Sequence, residues 1–231
     1  DQTSTEIQRL GIYESIELNS IFDFLLKNKN LSTKDIALDI GAHIGNHSIY
    51  FSKYFKKVYS FEPNPKAFYL LKFNVSPFKK IKIFNYGLYN KKKKSKLYIC
   101  KFNIGGSSIK YDEYNHRVEE KIYLRKLDDI KINEKIGLIK IDTERSEYEI
   151  LKGSSKTIKK NKPIILFEQS INEFKNGSTK SIKFLEKNNY KILYLKIDKY
   201  FLFHKKVTII DSIKVPERNH KLLIALPINN K

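Results

Sequence analysis

The residues whose types and spacing could do chemistry in this chain are carboxylates at the ends of apolar runs. Asp39 sits in the run Ile36–Ile40, and Gly41 and Gly45 follow it four residues apart, with helical apolar spacing resuming at Asn46. A strand, a glycine turn and a helix start would aim free backbone N–H groups at a ligand, and a Cβ on either glycine would block the ligand from the backbone. His43 stands where a dinucleotide turn of the G-x-G-x-x-G type needs its second glycine. An acidic residue just before the first glycine suits a cationic ligand end better than a pyrophosphate. Glu62, Asn85, Asp142 and Glu168 each close a later apolar run, and Glu144 lies two residues beyond Asp142. Such carboxylates can act as general bases or bind Mg²⁺ through oxygen. No Asp-x-Asp pair joins Asp142, Glu144 and Glu168, so no metal site is assigned. His43 and His47 have the i, i+4 spacing of a zinc helix, but Ile44 replaces the glutamate of H-E-x-x-H.

The elements that must position these groups alternate. Apolar periodicity predicts a helix over 12–26, a strand over 36–40 and a helix over 46–55. A strand over 58–61 closes at Glu62-Pro63-Asn64-Pro65, where proline suits a helix start, and a helix over 66–75 follows. Next come a strand over 81–84 and the turn Asn85-Tyr86-Gly87. The run Lys91 to Lys94 reads as a solvated hairpin turn before a strand over 96–102, with a loop at Gly105-Gly106-Ser107-Ser108 and a return strand over 121–125. A strand over 136–141, a helix over 145–158, a strand over 163–167 and a helix over 178–188 continue the alternation. Strands over 191–196, 200–203 and 222–226 complete it. This order implies a single α/β domain with an open, mostly parallel, doubly wound sheet and an inserted β hairpin. Residues 1–34 form an N-terminal helical cap in this reading, and 91–126 form the hairpin with its substrate loop. Ligands of such sheets bind beyond the C-terminal strand ends, which places Asp39, Glu62, Asn85, Asp142 and Glu168 along one edge.

The totals bound the partners. With 231 residues, 41% hydrophobic, the chain can bury a full core. Its longest apolar runs are far too short to span a bilayer, and DQTSTEIQRL carries no apolar signal region. One cysteine, Cys100, excludes an internal disulfide and reads as a buried structural thiol, so a cytoplasmic location is expected. The net charge of +20 raises nucleic acid as a partner. Against that, only Arg9, Arg117, Arg125, Arg145 and Arg218 are arginines, and lysine is spread along every segment. A genome bias toward lysine, together with solubility, accounts for the charge better than nucleic-acid binding does, and an acidic partner or substrate is the remaining reading.

Taken together, A-L-D-I-G-A-H-I-G-N (37–46), F-E-P-N-P (61–65), N-Y-G-L-Y-N (85–90), G-G-S-S (105–108), I-K-I-D-T-E-R-S-E-Y-E-I-L-K-G (139–153) and I-I-L-F-E (164–168) resemble the FkbM family of S-adenosylmethionine-dependent methyltransferases. The likeness covers roughly residues 12 to 168, and K-L-L-I-A-L-P (221–227) resembles the family's closing strand. It implies a class I methyltransferase, Rossmann-like fold, S-adenosylmethionine as cofactor, and O-methylation of sugar or other natural-product hydroxyls. Two positions depart from the family: Glu144-Arg145 replaces Glu-Gly, and His43 replaces an asparagine.

The resemblance also implies roles. Glu62 would accept hydrogen bonds from both ribose hydroxyls, with Pro63 and Asn64 beside it. Asp39 would order the glycine turn or face the methionine moiety. Gly41, His43, Ile44, Gly45 and Asn46 would line that turn, and Asn85, Tyr86 and Gly87 would border the adenine. Glu14, after Tyr13, could bind the ligand's amino group. Asp142, which also faces the cofactor, comes first as base, Glu144 second, and Glu168 is a further candidate. Glu147 is read instead as favouring its helix N-terminus. Lys140 would neutralise the carboxylates or bind an anionic substrate, and Gly106, Ser107, Ser108, His116 and Arg145 would meet the acceptor. The expected acceptor is a small molecule or glycan, a surface-polysaccharide or nucleotide-sugar precursor. The alternatives are an RNA or DNA methyltransferase, although D-T-E-R stands where a D/N-P-P-Y/F motif would be, and a non-catalytic binding module of the same fold.

Overall fold

The computed structural model describes residues 12–100, 107–109, 116–199, 205–212 and 214–228. Helix α1 (Ser15–Lys27) precedes β1 (Ile36–Ile40), α2 (Asn46–Phe51), β2 (Lys57–Phe61), α3 (Pro65–Val75) and β3 (Ile81–Phe84). The middle of the chain supplies β4 (Gly87–Leu88), β5 (Lys93–Cys100) and β6 (His116–Arg125). After these come β7 (Ile136–Ile141), α4 (Glu147–Gly153), α5 (Ser155–Asn161), β8 (Ile164–Gln169), α6 (Lys180–Lys187), β9 (Tyr190–Lys199), β10 (Lys205–Asp211) and β11 (His220–Pro227).

Eight strands form one sheet in the order β10-β9-β11-β8-β7-β1-β2-β3. The five from β3 to β8 are parallel, whereas β11 runs antiparallel to both β8 and β9. Leu18, Ile21, Phe22 and Leu25 of α1 pack with Tyr50 and Phe51 of α2 on one face of this sheet. Ile150, Leu151, Ile158, Ile182 and Leu185, from α4 to α6, cover the other. Helices on both faces explain why β1 and β7 are almost continuously apolar. The hairpin β5–β6 joins β4 in a separate three-stranded sheet with its own small core of Leu97, Ile99, Ile122 and Leu124.

Several element boundaries differ from the expectation. Lys93 and Lys94 lie within β5 rather than in a turn, because pairing of Lys93 with Leu124 and Lys94 with Tyr123 continues the ladder to its end. Helix α2 stops at Phe51, four residues short. The expected helix over 145–158 is two helices, with Glu144 and Arg145 left-handed (φ 53° and 74°) ahead of it and a break at Ser154. A strand at 205–211 pairs with β9 and packs against α1, and the strand expected at 200–203 lies outside the described residues.

The break at Ser154 has a packing cause. A Cβ on Gly153 would come within 2.0 Å of the Tyr89 carbonyl oxygen, so only glycine lets α4 end against the segment entering the hairpin. Gly153→Ala should therefore cost about 2 kcal/mol or more by overpacking. Thermal unfolding should report this as a fall of about 2–4 °C per kcal/mol for a chain of this size. A wild-type Tm in the variant would refute the packing argument.

Candidate active site

A cavity of about 240 Å³ opens where the parallel strands end. Its wall includes Gly41, Ala42 and His43 after β1, Glu62 and Pro63 after β2, Asp142 to Glu144 after β7, and Glu168 on β8. Gly87, Leu97, Ser107 and Leu124 bring in the hairpin sheet, and Tyr13, Glu14 and Lys221 close the far side.

Beneath the cavity lies a polar row. Ser60, Asp39 and Lys140 are register partners across β2, β1 and β7. Asp39 Oδ2 accepts from Ser48 Oγ of α2 at 2.5 Å, and Ser48 Oγ meets Ser60 Oγ at 2.7 Å. Lys140 Nζ is 3.3 Å from Asp39 Oδ1, 3.3 Å from Asp142 Oδ2, and donates to the Gly41 carbonyl at 3.0 Å. Burial alone would lower the Lys140 pKa, but Asp142 and Asp39 more than offset it and hold the ammonium protonated. Asp39 is fully buried and outside the cavity wall, and its bonds to Ser48 and Lys140 order the glycine turn. The donors of Lys140 are likewise engaged by the protein.

The glycine turn also differs from its expected role. The amides of Gly41 and Ala42 both donate to the Phe61 carbonyl, His43 N donates to Glu62, and Gly45 N donates to Ala42 O. Most of the turn's donors thus serve the fold. A Cβ on Gly41 would strike the Asp142 carbonyl oxygen at 1.8 Å, and one on Gly45 would meet Leu71 Cδ1 at 2.8 Å, both at positive φ. The glycines admit neighbouring protein, where ligand access was the reason expected.

Glu62 is the best-held carboxylate of the wall. Oε2 accepts from His43 N and Oε1 from Asn64 N, each at 2.8 Å. Burial nonetheless pushes its pKa up to about 7, against the pull of those two bonds and of Lys140. Asn85 Nδ2 donates to the Glu62 carbonyl at 2.9 Å, and Asn64 caps α3 through Lys66 N at 3.0 Å. These two asparagines position Glu62 from outside the cavity wall. Tyr86 also lies outside the wall, stacked among Phe61 and Phe84 beneath the Arg125 guanidinium. The Ile44 carbonyl is tied to Asn74, and its side chain is not in the wall.

The N-terminal wall depends on Asn46, which accepts from Tyr13 N at 2.9 Å and donates to Tyr13 O at 3.1 Å. That clamp leaves Glu14 left-handed and buried, 3.3 Å from His47 Nε2 and 3.4 Å from Lys221 Nζ. Burial would raise the Glu14 pKa, but His47 and Lys221 hold it below the usual value. Nothing in the local sequence pointed to Lys221, which reaches the site from β11.

At the other end Asp142, Glu144, Glu147 and Glu168 crowd together. Burial raises Glu168 to about 10, reinforced by Asp142, Glu144 and Glu147, so it holds a proton shared with Asp142. Burial would also raise Asp142, but Lys140 beside it draws it below the ordinary range. Burial and the Asp142 charge raise Glu144 to about 7. Glu147 accepts from Thr143 N and Oγ1 through Oε1 and is raised to about 7 by burial, a deeper role than the helix-end one expected. Among the acceptor-side candidates, Ser107 lines the cavity. Ser108 Oγ donates to the Glu144 carbonyl at 2.9 Å, and Arg145 is outside the wall. Gly106 and the His116 and Cys100 side chains lie outside the described residues. Among the described residues, no group of three or more His, Cys, Asp or Glu could hold a metal ion.

Residues 39–192 match the model of the methyltransferase FkbM domain. The chain belongs to the FkbM methyltransferase family. The FkbM methyltransferase of Methylobacillus flagellatus is similar in structure, with a TM-score of 0.51 at 18% identity over 84% of this chain and 44% of that one. The chain thus spans under half the length of that protein. The magnesium protoporphyrin IX methyltransferase of Synechocystis, solved with bound S-adenosylmethionine, aligns with a TM-score of 0.50 at 10% identity, over 92% of this chain and 78% of that one. No curated protein matches the chain. The fold is the class I methyltransferase one, and S-adenosylmethionine is the family's methyl donor. The cavity fits that group, since Glu62 turns two fixed oxygens toward a vicinal diol and the buried Nε2 of His43 has no protein partner.

A raised carboxyl pKa has a stability consequence with a definite sign. An unfolded chain loses the Glu168 proton near 4.5, whereas the folded one keeps it to about 10, so stability falls as pH rises between those values. Glu168→Gln has no proton to lose and can still donate to Asp142. Its Tm advantage over wild type should widen from pH 5 to pH 9, at about 2–4 °C per kcal/mol relieved. A gap that stays constant with pH would show that Glu168 is not held protonated.

Proposed function

We propose that the FkbM domain transfers a methyl group from S-adenosylmethionine to a sugar hydroxyl of a surface-polysaccharide or nucleotide-sugar precursor. The observation that carries this is Glu144, a carboxylate raised to about 7 at the wall of the same cavity that Glu62 enters. When bound, the cofactor supplies an electrophilic methyl group on a sulfonium. Glu62 would hold the two ribose hydroxyls on the oxygens fixed by His43 N and Asn64 N. Glu14 faces the amino-acid end, with Lys221 beside it.

A neutral hydroxyl is a poor nucleophile and needs a base matched to the working pH. Asp142 fits that task less well than the sequence suggested. Its charge is already neutralised by Lys140 and by the proton on Glu168. Glu168 itself holds its proton too tightly. Glu144 titrates near neutrality, so it is the wall residue that would take the proton of an acceptor hydroxyl. Asp142 and Lys140 hold the strand ends and the field in which this happens.

Glu62→Ala should weaken S-adenosylmethionine binding about 10- to 150-fold by calorimetry, the worth of charged hydrogen bonds to a diol. Undiminished affinity would remove Glu62 from the cofactor site. With radiolabelled methyl transfer to sugar nucleotides, kcat should rise with pH through about 7 as Glu144 loses its proton. Glu144→Gln should lower kcat about 10²- to 10⁴-fold with cofactor affinity unchanged. Full turnover in Glu144→Gln, or transfer to RNA in preference to sugar, would sink the assignment.

A further inference from the structure

Lysine is spread along this chain, but carboxylates are not. Residues 63–111 contain twelve lysines and no aspartate or glutamate. That stretch supplies α3 and the edge strand β3. Helix α3 buries Ala67, Leu71 and Val75 against the sheet, at i, i+4 and i+8. Its opposite face, at i+2, i+3 and i+6 from Ala67, carries Tyr69, Leu70 and Phe73, which are 74%, 42% and 76% exposed. Phe78, just beyond the helix, adds a fourth exposed large apolar side chain. A helix that is apolar on both faces normally has both covered. Exposed lysines accompany the outer face: Lys66, 3.8 Å from Glu120, and Lys72 on the helix, and Lys79 and Lys80 just beyond it, whereas Lys82 lies over Tyr59 on the other side of the sheet.

We propose that this face of α3 docks the protein on an anionic lipid surface. Aromatic rings and leucine on a convex helix, with lysines around them, match the interfacial region of a bilayer, where rings enter the headgroup boundary and lysines meet anionic headgroups. Charge selects this occupant over a second copy of the chain. A two-fold dimer through α3 would oppose identical lysine-bearing surfaces, and residues 63–111 hold no carboxylate to neutralise them, Glu120 of β6 meeting Lys66 alone. It also selects against RNA, because the stretch contains no arginine and Leu70 offers no stacking plane. The face does not contribute to the cavity wall, apart from sharing the 61–65 segment that leads into α3. Among the described residues no helix is long and apolar enough to cross a membrane.

The test is co-sedimentation of the 231-residue chain with vesicles of equal parts phosphatidylglycerol and phosphatidylcholine, against pure phosphatidylcholine vesicles. The protein should partition to the anionic vesicles only, and less so as salt is raised. Tyr69→Ser with Phe73→Ser should reduce partitioning about tenfold or more. Lys72→Gln with Lys79→Gln should reduce it about fivefold per lysine removed and flatten the salt dependence. Unchanged S-adenosylmethionine affinity in each variant shows that the fold is intact. The proposal is overturned if neutral vesicles bind equally, if the Tyr69/Phe73 variant binds like wild type, or if no vesicle binds. It also falls if the chain dimerises, or shifts RNA on a gel, through these same side chains.

Discussion

The site rests on one buried ammonium. Lys140 extends from the middle of the sheet and binds Asp39 of β1, Asp142 beyond β7 and the carbonyl of Gly41. Removing one partner of such a buried cluster leaves an uncompensated charge, at a cost of about 3–5 kcal/mol. The same contacts fix geometry. Through Asp39 and Ser48 they seat α2, and through Gly41 they bring the turn after β1 against the Asp142 carbonyl. Asp142 and the turn after β1 are therefore both referenced to the position of Lys140.

Above that anchor the electrostatics are deliberately unbalanced. Four carboxylates, Asp142, Glu144, Glu147 and Glu168, share a region in which only one is held below its ordinary pKa. Crowding of this kind costs stability in the apo protein and is common where chemistry is done. One charge is pinned by Lys140, one proton is retained by Glu168, and two groups, Glu144 and Glu147, are left to titrate near neutrality, of which Glu144 is the one in the cavity wall. The asymmetry allows neighbouring side chains of the same type to take different tasks.

The alternation of strands and helices was readable because burial on both faces makes β1, β2, β7 and β8 mostly apolar. The carboxylates at their ends stood out against that background, and Glu62, Asp142 and Glu168 do meet at one cavity. The roles within the set were less readable. Asp39 looks like a ligand residue in sequence, but its register with Lys140 and Ser60 turns it beneath the cavity, and register is a long-range property. Asn85 and Tyr86 fall in the expected turn, yet one braces Glu62 and the other stacks under Arg125. The two left-handed residues, Glu144 and Arg145, delayed the helix start in a way that apolar spacing does not record. Arg145 occupies a conformation suited to glycine.

Lys221 donates to the Tyr13 hydroxyl at 3.0 Å, and the two are 208 positions apart in the chain. The wall on that side is thus made from the first helix segment and the last strand together. During synthesis Tyr13 and Glu14 leave the ribosome long before β11 is made. Until then Glu14 lacks Lys221, and β8 and β9 lack the strand inserted between them. The methyl-donor cavity is consequently a late product of translation, and a nascent chain that has emptied its first 200 residues into solution still has no closed site to fill.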